Sequence, residues 1–328
     1  MRSLLTALVW LTAASCVVGQ PSLPKSMGTI PIGGPGGWDC LTVDAANHLL
    51  YVSHSTHVPV IDLSQNKVVK DILNTPRVHG IAIAQDIGRG FISNGGDSSV
   101  TVFDLKSDST VANVKVTGRN PDAILYDPFT RRVFTFNGGS ANATVIDAKS
   151  TKVIGTITLD GKPEFAASDF KGRVFVNIED KSMLTVIDPK EMKVLSRWPL
   201  APLEEPSAMA IDRKNRRLFV GGRNNLLAVI DADSGKVIMT LPIGTGVDGA
   251  EFDSQAGLIY SSNGDGTMTV IKEEGPTKFS VVGNVKTERG ARTMALDEST
   301  HRLYLSVGTR PDSTGVSKDD FRILMYQQ

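Results

Sequence analysis

From about residue 29 onward, apolar and polar positions alternate in short runs, each closed by turn residues. Period-two alternation over such short lengths marks half-buried β-strands, and no helical segment is evident between them. The runs are copies of one unit. It holds an alternating apolar strand that usually ends in Asp, a turn, a second strand led by an aromatic residue, and then Val-Ile-Asp. The clearest copy reads Asp122-Ala-Ile-Leu-Tyr-Asp127, Val133-Phe-Thr-Phe-Asn137, Thr144-Val-Ile-Asp147. The position of Asp127 recurs at Asp44, Ala84, Asp169, Asp212, Asp253 and Asp297, with successive gaps of 40, 43, 42, 43, 41 and 44 residues in chain order. The aromatic keeps step at Tyr51, Phe91, Phe134, Phe175, Phe219, Tyr260 and Tyr304.

A period of about forty residues with several strands per unit is the signature of propeller blades, because one small sheet cannot bury both faces alone. The two ends of the repeat region sharpen this reading. The last copy stops after its third strand, at residues 321–326. The first copy is preceded by Thr29-Ile-Pro-Ile-Gly33, a near duplicate of Thr240-Leu-Pro-Ile-Gly244 in an outer strand. The N-terminal strand is therefore expected to complete the last blade and remove the exposed edge of an open ring. The predicted fold is all-β: a single seven-bladed β-propeller over residues 20–328.

The second strands read Tyr51-Val-Ser-His54, Phe91-Ile-Ser-Asn94 and Tyr260-Ser-Ser-Asn263. With the Val-Ile-Asp that follows, they resemble the repeat of YVTN-type β-propellers, mostly secreted or surface proteins of bacteria. The resemblance implies the propeller fold. For function it implies only a range, from ligand binding and adhesion to DNA association. The chain departs from the repeat at Ile178, Gly222 and Val307, where the final Asn is missing.

Residues 1–19 read as a signal peptide. Arg2 supplies the positive start, an apolar run spans 4–18, and small residues lead to cleavage ahead of Gln20. That run is too short and interrupted for a comfortable membrane span, so a secreted or periplasmic protein without a transmembrane segment is expected. Ala13-Ala14-Ser15-Cys16 loosely resembles a bacterial lipidation site, but Ala13 stands where Leu is usual, and lipid anchoring is the lesser reading. With Cys16 removed, Cys40 is left alone and forms no intrachain disulfide. The 35 basic and 35 acidic residues leave no field to attract nucleic acid, so no nucleic-acid partner is expected.

In a propeller, the start of each innermost strand and the end of each second strand share one face around the axial channel. Five residues before each marker stand Asp39, His79, Asp122, Glu164, Ser207, Asp248 and Arg292, and the second strands end in His54, Asn94, Asn137 and Asn263. His57 follows His54 in the next loop. Carboxylates crowding a narrow mouth repel one another by roughly 2 kcal/mol per pair about 8 Å apart. A divalent cation would relieve this, with Asp39, His54 and His79 as first ligands and His57 in reserve. A salt bridge from Arg292 to Asp248, ordered water or a protonated carboxylate would do the same. Purely structural turn roles remain the plain alternative for such junction residues.

Glu251 occupies an inner-strand position that is otherwise Thr42, Ala82, Leu125, Ala167, Ala210 and Ala295, so a raised pKa is expected unless it is paired. The loop at 308–320 is longer than its counterparts and suits a recognition element. No nucleophile elbow, metal-binding helix, Walker loop or Cys-x-x-Cys is present. The balance favours a monomeric binding protein for a small ligand or a protein partner, with no cofactor evident beyond that divalent metal ion. The alternative is a metal-dependent hydrolase or lactonase, with Asp39, His54, His79 and Glu164 around the ion and Glu251 or Asp248 as base. A structural surface module acting through its blade edges is a third reading.

Overall fold

The computed structural model describes residues 21–309 and 319–328. The expected signal peptide, Cys16 and most of the loop at 308–320 lie outside the described residues. Seven four-stranded antiparallel sheets stand in a ring. Blades 1 to 6 are consecutive, over residues 38–73, 78–115, 121–158, 163–199, 206–242 and 247–286. Blade 7 takes three strands from 294–327 and its outermost strand from Lys25–Pro31, which pairs antiparallel with Arg322–Gln327. The expected ring closure is thus present, and Ile30 is fully buried in the joint between blades 7 and 1, with Phe321, Ile323, Leu41 and Leu50.

Burial is deepest in the second and third strands of a blade such as blade 3, partial in the innermost strand that faces the channel, and least in the outermost. Third strands such as Asn142–Asp147 are buried along their middle, whereas an outermost strand such as Lys193–Pro199 alternates exposed and half-buried positions. All seven second-strand aromatics are at most 1% exposed and fill the spaces between neighbouring sheets. The recurring Asp at the end of the innermost strand does turn work. Its carboxylate accepts backbone N–H bonds from the residues just after it, as Asp212 does from Lys214 and Asn215, and Asp297 from Ser299.

The repeat's Ser and Asn have separate tasks. In six blades the innermost strand carries a β-bulge immediately after its first residue. A bulge leaves a residue outside the ladder and re-aims its side chain. Second-strand serines close over it: Ser53 accepts from the Asp39 N–H at 3.0 Å, and Ser93 accepts from Gly80 N–H at 2.8 Å. Ser93 also donates to the carbonyl of Asp122 in the next blade, and Ser262 to that of Arg292. Packing within blade 2 leaves little slack, because Gly90 and Phe103 are cross-strand partners. A Cβ on Gly90 would lie 2.0 Å from the ring of fully buried Phe103. Gly90→Ala is therefore expected to cost about 1–3 kcal/mol, as overpacking does, measured as a lowered urea midpoint. An unchanged midpoint would mean that the ring moves aside freely.

Candidate functional site

The bulges set the second residue of each innermost strand at the channel mouth, and this places Asp39, His79 and Asp122 together. One donor atom from each lies within 4.8 Å of the others. His79 Nδ1 is 2.7 Å from Asp39 Oδ2 and 3.5 Å from Asp122 Oδ1. The backbone of the group is pinned from both sides. Thr293 donates to the Asp39 carbonyl at 2.7 Å across the seam between blades 7 and 1, and Ser93 holds Asp122. Burial works against the imidazolium of His79, but the Asp39 hydrogen bond and the Asp122 charge outweigh it, so its pKa is raised. Burial also raises Asp122, against the pull of His79.

The far ring nitrogen, His79 Nε2, is buried without a hydrogen-bond partner, and so is Asn120 Oδ1. Both face Gly95: a Cβ there would lie 2.6 Å from the nitrogen and 2.7 Å from the oxygen. The close approach of these two polar atoms is what requires glycine at position 95.

Around the rest of the mouth the charges pair. Lys162 bridges Glu164, at 2.6 Å, and Glu179. Arg223 meets Glu179 at 2.9 Å, and Arg292 pairs with Asp248. Burial, helped by the Asp122 charge, lifts Glu164 to about 8. Burial lifts Asp248 to about 6 despite Arg292. Across blades 1 to 3 the two carboxylates of Asp39 and Asp122 share the imidazole of His79.

The structure separates the other candidates from this group. His54 is fully buried, with its ring stacked on Phe321 at 4.4 Å, and desolvation lowers its pKa to about 4. His57 opens the third strand of blade 1, not a loop, and packs its ring 4.9 Å from His54. Neither joins Asp39 and His79, because the end of the second strand points into the blade while the bulge points into the mouth. Asn94, Asn137 and Asn263 are likewise buried inside their blades. Each uses its amide to bond third-strand side chains, as Asn94 does with Ser99 and Thr101, and Asn263 with Thr267 and Thr269. Ser207 donates to the Val247 carbonyl, linking blades 5 and 6. These are stitches of the fold. Lys162, Glu179, Arg223 and Asn120 were not found by reading rim positions, since Asn120 and Lys162 lie just before innermost strands and Glu179 and Arg223 just after second strands, outside the repeated positions. The Lys162-Pro163-Glu164 run, a base two residues before a rim acid, was the available signal.

No protein-family model and no curated protein matches the chain. Solved structures do. The structure of U3-55K matches with a TM-score of 0.81 at 8% identity, covering 93% of this chain and 100% of that one. The WD40 repeats of RRP9 match at 0.79 and 9% identity, covering 92% and 100%. Hydrazine synthase of Kuenenia stuttgartiensis matches at 0.72 and 16% identity, covering 85% and 95%. At such identities the likeness establishes the seven-bladed propeller and nothing about chemistry.

Proposed function

We propose that the chain is a secreted or periplasmic binding propeller of the YVTN-type class that takes its ligand at the channel mouth through a cationic centre, in its simplest form a divalent metal ion. The observation that carries this reading is the convergence of Asp39, His79 and Asp122. Two carboxylates and an imidazole make a fitting set for a divalent ion, and three protein donors leave positions for water or for a ligand group. Ligation would replace the hydrogen bond between His79 and Asp39 and balance the charges of Asp39 and Asp122. The N-terminal apolar segment supports export, and the pairing of charges elsewhere on the mouth supports selectivity for a small polar ligand or a partner's projecting side chain.

Catalysis is the weaker reading. Asp248 is engaged by Arg292, Glu251 lines the channel wall, and neither proposed base joins the converging donors of Asp39, His79 and Asp122. The test is elemental mass spectrometry on protein dialysed without chelator, followed by calorimetric titration with zinc and calcium. One ion per chain is expected. Asp39→Asn combined with Asp122→Asn is expected to weaken it at least a hundredfold, with the melting curve retained. No uptake of either ion would sink the cation reading.

A further inference from the structure

The axial channel is lined by innermost-strand residues of every blade and encloses about 510 Å³. That lies within the roughly 300–1,000 Å³ range of small-molecule sites. Its side chains are mostly apolar, with Leu41, Ile81, Ile124, Phe165, Met209 and Met294 among the lining residues, although polar atoms supply somewhat more of the exposed wall than carbon does. Charged side chains on the wall are few. Glu251 lines the channel, and Arg213 lies just past the end of the blade 5 innermost strand, toward the face opposite the mouth.

Arg213 is held ready without being satisfied. Its Nε donates to the Ser168 carbonyl at 3.0 Å, and its guanidinium carbon lies 3.8 Å over the Phe170 ring. Among the described residues no carboxylate reaches it at ion-pair distance, although Glu298, Asp169 and Glu251 act on it from further away. Asp169 is itself paired with Arg216, and Glu298 accepts from Ser254. A planar cation at the end of a narrow channel with several apolar side chains on its wall is a receptor for a carboxylate head group.

We propose that the channel is a second binding site, for an amphipathic carboxylate whose alkyl chain lies among the apolar wall residues and whose head group pairs with Arg213. Glu251 completes the recognition. Burial, reinforced by Glu298 and opposed by Arg213, lifts its pKa to about 8. At neutral pH it is a neutral acid that can donate a proton to the incoming carboxylate. Above pH 8 it becomes an anion that repels it. The Cys40 thiol on the same wall stays neutral, its pKa raised by burial.

The test is calorimetric titration of the protein with octanoate, decanoate, decanol and decylamine, each below its aggregation limit. One site is expected for decanoate at pH 7. Octanoate should bind about fifteenfold more weakly, because each buried methylene is worth roughly a factor of four. Arg213→Met should weaken decanoate by tenfold or more and leave decanol unchanged. Binding by the wild type should fall about tenfold per pH unit above 8, and Glu251→Gln should remove that fall. Ala166→Leu narrows the channel without touching Arg213 and should weaken all three chains that bind. The proposal is overturned if decanoate gives no heat, if Arg213→Met binds it as well as the wild type, or if decylamine is preferred.

Discussion

Ile30→Asp is expected to leave no stable folded monomer. Ile30 has no exposed surface and sits where the closing strand, the last blade and the first blade meet. Replacing it removes the transfer energy of a buried aliphatic side chain and sets a carboxylate among Phe321, Ile323 and Met325, with no cation in that cluster. The cost is on the order of 4–6 kcal/mol, comparable with the whole stability of an ordinary domain. The failure would also uncover an edge, because Arg322–Gln327 would lose the strand that covers it. Size-exclusion chromatography should therefore show aggregate in place of a sharp monomer peak. Ile30→Val, which keeps the shape, should cost only about 0.5–1.5 kcal/mol. A monomeric Ile30→Asp protein with a wild-type denaturant midpoint would show that the ring does not depend on this seam.

The second large effect concerns Glu251 and has a definite direction in pH. Its pKa rises from an ordinary 4.5 to about 8 in the fold. Between those values the native state keeps a proton that the unfolded chain releases, so this residue's contribution to stability falls as pH climbs from 4.5 and levels off above 8. Glu251→Gln keeps the size and the neutral hydrogen-bonding head but cannot ionise. The variant and the wild type should melt together near pH 4.5 and separate steadily above it. By pH 9 the variant should be more stable by on the order of 2–4 kcal/mol, channel water holding the figure below the full shift. Glu164, Asp248 and Glu273 also have raised values and titrate in both proteins. The informative quantity is consequently the difference between the two curves. A difference that stays flat from pH 4.5 to 9 would mean that Glu251 ionises freely in the channel.

The ring was legible from the repeat because the repeat is a packing requirement. A buried aromatic at Phe134 or Tyr260 and a turn Asp at Asp127 or Asp253 recur wherever a blade must stack and bend. The near duplication of Thr29-Ile-Pro-Ile-Gly33 was legible for the same reason, as an outer strand belongs to a blade wherever the chain supplies it. The mouth was only half legible. Counting back from the markers found Asp39, His79 and Asp122, because the bulge falls at a constant place. It gave the wrong orientation for His54 and the asparagines, whose side chains turn into the sheet one residue from where they would face the mouth. That difference is a matter of strand parity and local bulging, which composition does not encode. Lys162, Glu179 and Arg223 escaped because ion pairs between loops of different blades leave no mark at a fixed spacing.

The bulge has one more consequence. Since the residues at 39, 79, 122, 164 and 248 follow the first ladder residue and precede the next, exchanging their side chains leaves strand register and the buried aromatics untouched. Recognition and assembly are written in separate positions of the same strand. A lineage of such rings can thus acquire new specificities one blade at a time, each change tried on a scaffold that folds regardless of the outcome.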